Sequence, residues 1–278
     1  MLRLLERSIA ALADDLVVLA PPNAPIPLAL DNVKVAPRQH AAILREMQRV
    51  RGSIYLHEGN VTQDQLVDGR HRTEEDDRAW HLMMTDREGR IGACVLYLEH
   101  EDDVTLQDLR IRHCPLTNDR EWGPKLKRAV KSEIARAQFE ELAYSEIGGL
   151  AIQPERRGGP DGVLLTLATY ALGRLRGGAL GITTANVAHS CASFLRRLGG
   201  SNLEIDGQMI PSYYDARYNT EIELLRFDSR SPCTRYASLI DEIMDQFANV
   251  PVIAATMPAV EPAVEYAAAA ALRPVFAA

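Results

Sequence analysis

The chain has 278 residues, 46% of them hydrophobic and 25% charged, with a formal net charge of −7. That length and balance suit a soluble globular protein with a substantial core, and the acidic sign argues against general nucleic-acid binding. The four cysteines (Cys94, Cys114, Cys191, Cys233) are far apart and exclude a disulfide framework or a Cys-based zinc site, so reduced thiols in a cytoplasmic protein are expected.

Residues 1–20 are rich in Leu, Ile and Ala but interrupted by Glu6, Asp14 and Asp15. They lack the basic start and uncharged centre of a signal peptide and read as an amphipathic helix. No stretch is long enough to span a bilayer, so no integral membrane association is expected. Pro21, Pro22, Pro25 and Pro27 make a stiff connector. The expected organisation is an N-terminal extension over 1–27, a main domain over 28–253 and an Ala- and Pro-rich tail over 254–278. Residues 33–35 suit a short strand. From Gln39, the spacing of Ala42, Ile43, Met47 and Val50 predicts a helix carrying Arg45, Arg49 and Arg51, which would be solvated if it is an ordinary surface helix and would otherwise cover one side of a functional site. Residues 64–77 form a charged run of the kind usually found in a solvated loop. Strands are expected over 79–84 and 91–98, joined by a turn over 86–89, and the alternation of 104–111 suggests another. Residues 124–141 read as a helix with Pro124 in its first turn.

The stretch from 144 to 200 organises the rest. An apolar strand over 145–154 begins with Glu146 and contains Gly148 and Gly149. The loop Glu155-Arg156-Arg157-Gly158-Gly159-Pro160-Asp161-Gly162 follows, then a helix through Leu175, a strand over 179–184 and a helix over 190–198. A Gly-rich turn between strand and helix leaves backbone N–H groups free at the positive end of the helix dipole, which suits a phosphate. Arg156 and Arg157 add charge beside it. Short strands are expected over 202–205 and 221–227, and an amphipathic helix over 236–249. The seven histidines form no H-x-x-x-H pair, so no metal is expected, and His189 alone lies near Asn186 and Ser190. Ser145 and Ser190 lack a nucleophile-elbow setting.

The loop over 154–162 resembles the acyl-carrier pyrophosphate loop of the GNAT acyltransferase superfamily, Arg/Gln-x-x-Gly-x-Gly/Ala. Arg156 and Gly159 fit that pattern; Asp161 stands where a small residue is usual, and Gly162 is one place late. The later succession Leu195-Arg196-Arg197-Leu198-Gly199-Gly200, then 211–218, then 223–228, is similar to the branch of long-chain N-acyl amino acid synthases and acyl-homoserine-lactone (autoinducer) synthases. The resemblance covers roughly residues 40 to 250. It implies an α/β fold, a GNAT-like mixed, mostly antiparallel twisted sheet flanked by helices. It also implies an N-acyltransferase that moves a medium- or long-chain fatty acyl group from an acyl carrier protein or CoA thioester to a primary amine. The acceptor would be a free amino acid, or a Lys- or ornithine-type side chain of a peptide.

By the same resemblance Glu146 is the carboxylate that deprotonates the amine, with Gly148 and Gly149 giving close approach or a bulge that frees an N–H for the oxyanion. The co-substrate, acyl-ACP phosphopantetheine or acyl-CoA, would lie along Leu150, Ala151 and Ile152. Arg156, Arg157, Gly158, Gly159, Asp161 and Gly162 would hold its phosphates, with Asn186 and Ser190 on the other wall. Asp76, Asp77, Tyr55 and Tyr213 are the acceptor-side candidates. Autoinducer synthases carry an arginine on the strand that here reads Val95-Leu96-Tyr97, a departure that counts against a homoserine-lactone product. Lys125, Lys127, Arg128, Lys131 and Arg136 read first as a solvated basic face, and otherwise as a docking surface for an acidic acyl carrier protein. The alternatives are a short-chain, acetyl-CoA-dependent N-acetyltransferase, and a GNAT-fold binding module that has lost catalysis.

Overall fold

The computed structural model describes residues 2–187 and 190–257; His189 and the Ala- and Pro-rich tail beyond 257 lie outside the described residues. In chain order, α1 (Leu2–Ala10) and α2 (Leu12–Asp15) lead into β1 (Leu16–Ala20), and β2 (Val33–Val35) precedes the long α3 (Pro37–His57). The pair β3 (Trp80–Thr85) and β4 (Ile91–His100) is followed by α4 (Trp122–Phe139), β5 (Ala143–Ile152), α5 (Asp161–Leu175) and β6 (Ala179–Asn186). Next come α6 (Cys191–Leu198) and four short strands, β7 (Ser201–Asn202), β8 (Glu204–Ile205), β9 (Gln208–Met209) and β10 (Tyr213–Asp215). The last elements described are β11 (Thr220–Asp228), α7 (Ala237–Gln246) and β12 (Val252–Ala254).

The main sheet runs β10-β11-β6-β5-β4-β3-β1-β12-β2, with β7 on β11; β8 and β9 pair separately. Its neighbours are antiparallel except β5 with β6 and β12 with both β1 and β2. This is the mixed, mostly antiparallel sheet flanked by helices that the sequence predicts. Side chains alternate across it. On one face Val18, Leu82, Val95 and Tyr97 pack with Leu5 of α1, Leu164 to Leu172 of α5 and Ile240 of α7. The other face holds α3, through Met47 and Ile54 on Met83 and Cys94, and α4, through Leu126 and Val130 on Leu180 and Ile182. Among the described residues no helix is long and apolar enough to cross a membrane.

Three local expectations are corrected. The predicted N-terminal helix stops at Asp15, and Leu16–Ala20 instead forms β1 between β3 and β12. Its continuous apolar run is that of a strand covered on both faces, which periodicity does not separate from helix. Residues 104–111 form turns and the start of a 3₁₀ helix rather than a strand. There the Asp108 carboxylate accepts bonds from the Thr105 amide (2.9 Å) and hydroxyl (2.7 Å), closing a turn that competes with extended backbone. Finally, Val252–Ala254 adds a strand at the edge of the expected tail.

Candidate active site

Parallel pairing of β5 with β6 runs from Ala143 opposite Ala179 to Ile147 opposite Thr183 and then ends. Beyond it β5 stays with β4 and β6 with β11, so the two strands part. Where they part, β5 bulges. The pairs Cys94–Ala151 and Leu96–Gly148 set three steps of β5 against two of β4. Gly149 sits there at φ 63°, a conformation that glycine adopts without the steric cost of a Cβ. A bulge of this kind leaves its extra residue out of the ladder and turns backbone groups toward the opening. Ala151 is buried, and Leu150 and Ile152 are half-buried along the same stretch.

The loop after β5 is exposed at Gly158 and Gly159 and enters α5 at Asp161. A Cβ on Gly162 would stand 2.9 Å from Ile152 Cδ1, the tip of a flexible side chain, so the helix start packs closely on the strand here. The amides of Gly162 and Val163 have no backbone acceptor among the described residues, as expected at a helix N-terminus. Both arginines of the loop are held by carboxylates: Arg156 bonds Asp161, and Arg157 bonds Glu58 at the end of α3. On the other wall Asn186 accepts a bond from Thr220 (2.9 Å), and Ser190 takes a left-handed conformation before α6.

On the α3 face of the opening, Glu146 is 3% exposed. Both of its oxygens accept the amide N–H of Arg110 (3.0 and 2.9 Å), and Oε2 lies 3.1 Å from His100 Nε2. This anchors the 3₁₀ turn beginning at Arg110 and lays the Arg110 side chain across Gly148, where a Cβ would be 2.0 Å from Nη1. Arg110 lines a cavity of about 180 Å³ with Glu75, Thr184, Asp215, Arg217 and Tyr218. Arg217 is committed to Asp215 (2.6 and 3.0 Å), and Arg112 at the rim to Glu74 (2.7 Å). Among the described residues the Arg110 guanidinium donates no hydrogen bond, and its nearest carboxylate oxygen is Glu75 Oε2 at 3.7 Å.

Behind the bulge lies a buried ion pair. Arg51, 1% exposed, donates to Asp76 (2.7 Å) and to the carbonyl of His71 (2.6 Å). Gln48 and the Thr73 amide also donate to Asp76 (2.9 and 3.0 Å), and His81 Nε2 is 2.7 Å from its carbonyl. Burial by itself would raise the Asp76 carboxyl. The charge and hydrogen bond of Arg51, with His81 and the Thr73 amide, outweigh it and hold the group at about 2. Burial pushes His81 down to about 4, and burial with the Arg51 charge pushes His71 down to about 4. Arg51 Nη1 is 3.4 Å from where a Gly149 Cβ would be, so this pair backs directly onto the bulge.

The fold thus gathers Glu146, Gly148, Gly149 and Asp76 at one place. Tyr55 is half-buried against His71 and Tyr218, with ring centroids at 5.1 and 6.4 Å. Asp77 points to solvent, and Tyr213 is buried in the α4 core, leaving Tyr218 as the tyrosine at the cavity. As an ordinary surface helix, α3 would leave Arg45, Arg49 and Arg51 solvated; Arg45 and Arg49 are exposed, but Arg51 is buried. It did not single out Arg110 or Glu75. Arg110 falls within a stretch that reads as a strand, and the adjacent glycines at 148 and 149 are the one local sign that a group approaches there.

A second cavity, of about 730 Å³, lies between the first half of α3 and the sheet, with apolar walls at Val17, Ile43, Met83, Ile91 and Ile253 and a charged side at Arg45, Glu46 and Arg49. Several of these walls belong to the apolar cluster that contains Met47, Cys94 and Ala151.

No protein-family model matches the chain, and no curated protein matches it. Solved structures do. A CoA-dependent acyl-homoserine lactone synthase, BjaI, solved with MTA, matches at a TM-score of 0.50 and 13% identity, covering 89% of this chain and 95% of that one. The AHL synthase LasI matches at 0.44 and 14% identity over 68% of this chain and 84% of its own. FeeM, an N-acyl amino acid synthase from uncultured soil microbes, matches at 0.44 and 14% over 70% and 87%. The likeness to BjaI is one of fold: the two chains share a mixed, mostly antiparallel sheet flanked by helices.

Proposed function

We propose that this protein is an N-acyltransferase that moves a medium- or long-chain acyl group from a CoA or acyl-carrier-protein thioester to a primary amine. The observation that carries the reading is the parting of β5 and β6 after Ile147 and Thr183, with a glycine bulge at its apex and a helix N-terminus at its outer end. A phosphopantetheine arm laid in that opening has its phosphates at the amides before Val163, where the helix dipole favours anions. There the phosphates compete with Asp161 and Glu58 for Arg156 and Arg157. Its thioester then reaches the bulge, whose freed backbone donors suit the developing oxyanion.

In this reading the acceptor enters from the α3 face. Its ammonium first gives up a proton to a carboxylate; Glu146 is the candidate base, held by the Arg110 amide beside His100. The amine lone pair forms the C–N bond, the C–S bond breaks as the carbonyl reforms, and the departing thiolate takes the nitrogen's second proton. No cysteine stands ready as a nucleophile. Burial pushes the thiols of Cys94 and Cys191 up to about 11, which supports direct transfer.

The 730 Å³ cavity supports an acyl chain longer than acetyl, lying between the first half of α3 and the apolar surface of Val17, Met83, Ile91 and Ile253. On α4, Lys127 and Lys131 are exposed and suit an acidic carrier protein, whereas Lys125 and Arg128 are paired with Glu121 and Asp206. Incubation of primary amines with decanoyl and acetyl thioesters, on both CoA and carrier protein, tests the reading by mass spectrometry. Decanoyl amides are expected. Acetyl amides alone would move the assignment to the short-chain class, and no amide from any donor would leave a binding module.

A further inference from the structure

We infer that residues 58–65 form a strap across the opening between β5 and β6, fastened by Glu58 on Arg157 and released when a phosphate takes that arginine. The inference rests on the proposed seating of phosphates at the amides before Val163, and gives that seat a gate.

Glu58 caps the C-terminus of α3, where the helix dipole is negative and a carboxylate is disfavoured. It is kept there by Arg157 of the loop after β5 and by Asn60 Nδ2, which donates at 2.9 Å. Asn60 in turn accepts a bond from Nδ2 of Asn186, the last residue of β6, at 3.4 Å. Glu58 and Asn60 thus join the end of β6 to the loop beyond β5, the two walls of the opening. Farther along, Gln65 donates to the Arg217 carbonyl (3.1 Å), and the Gly59 carbonyl accepts from Asn219 (3.4 Å). Arg217 also lines the 180 Å³ cavity, so the strap runs from the loop that would hold phosphate to the rim of that cavity.

Side chains alone fasten it across the opening. Among the described residues, the backbone-to-backbone hydrogen bonds donated by 59–66 go to α3 or stay within the segment: Gly59 to Leu56, Asn60 and Val61 to Tyr55, Gln65 to Thr62 and Leu66 to Gln63. Val61 is the one buried residue of the strap. A segment with so little buried surface and no ladder to the sheet opens locally while the sheet stays intact. Its one charged fastening is Glu58 on Arg157, and Arg157 is 40% exposed, so water and salt screen the pair. A phosphate offers the guanidinium two oxygens in its own plane and meets no opposing helix dipole. Once Arg157 turns to it, Glu58 is left beside a second negative charge, and repulsion favours the open strap.

Hydrogen–deuterium exchange on the full chain reads the strap directly, through the amides of 59–66. Inorganic pyrophosphate, phosphopantetheine and CoA should each speed exchange there by about three- to fivefold, the scale of one half-exposed ion pair. Pantetheine, which lacks phosphate, should leave it unchanged. Glu58→Gln should exchange at the fast rate with no anion present and should bind CoA more tightly by a similar factor. Arg157→Gln should also exchange fast but bind CoA more weakly, which separates the fastening from the phosphate contact. Exchange in β4 should keep the parent rate in both variants, showing that the sheet is intact. If pyrophosphate opens the strap while CoA and phosphopantetheine fail to bind, the acyl-transfer reading falls and the strap stands. Unchanged or slower exchange over 59–66 with all of these anions, or Glu58→Gln exchanging at the parent rate, overturns the inference.

Discussion

The guanidinium of Arg110 fills the place of the side chain that Gly148 lacks, with only 2.0 Å between Nη1 and the position of a Cβ. The arginine arrives from a segment distant in sequence and is set there by its own amide bonding Glu146. A methyl group at 148 meets the far end of a flexible side chain, so Gly148→Ala should expel Arg110 at little cost to the fold. We expect a rise of about tenfold or more in acceptor KM, with a urea midpoint near that of the parent. Gly181→Ala is the contrast, because its Cβ would meet the Ser145 carbonyl oxygen at 2.2 Å and the Phe227 ring at 2.4 Å. Backbone cannot give way as an arginine tip can, and a loss of about 3 kcal/mol or more in urea unfolding is expected there.

The Arg51–Asp76 pair is buried at both ends. Removing one partner strands the other, so Arg51→Met and Asp76→Asn should each cost about 3–5 kcal/mol. The double variant should cost clearly less than the two singles together, and a double-mutant cycle from urea melts checks this. Strict additivity would mean that the two groups do not depend on each other.

Acid should weaken the fold in two stages. His71 and His81 have folded values near 4 against an ordinary 6.5, so the unfolded chain binds more protons between those values and stability falls as pH drops from 6.5 to 4. Asp76, depressed to about 2 from 3.8, contributes stability that is present above 3.8 and lost as pH falls toward 2. Melting temperatures recorded from pH 7 to 2 test the windows, and His81→Gln should flatten the upper one.

Glu146→Gln keeps an oxygen for the Arg110 amide while removing the negative charge. If this carboxylate is the base, kcat should drop about 10²- to 10⁴-fold with little change in acceptor KM. Full activity would eliminate the assignment and leave Glu146 as the anchor of the Arg110 turn.

Ile43 lines the larger cavity from α3 and is half-buried. Ile43→Trp should fill that space and lower the decanoyl-over-acetyl ratio of kcat/KM by about tenfold or more. An unchanged ratio would place the acyl chain elsewhere.

Much of the frame is legible from residue order. The spacing of Ala42, Ile43, Met47 and Val50, the apolar runs of β4 and β5, the glycines at 148 and 149 and the Gly-rich entry to α5 are local patterns. Neighbouring residues settle them, and the structure repeats them. The sequence alone therefore determined a mixed α/β sheet with a strand–loop–helix unit at its centre. What it could not determine was which distant groups meet. Arg51 shares a helix with three exposed arginines, Arg38, Arg45 and Arg49, and differs from them because Asp76 and His71 fold over it. Arg156 and Arg157 look unattached in a Gly-rich loop until Asp161 and Glu58 are brought beside them. Arg110 acquires its place from a hydrogen bond to Glu146, 36 residues on. Charge pairing and the orientation of a guanidinium depend on separation and desolvation in space, and only the closed tertiary structure sets those.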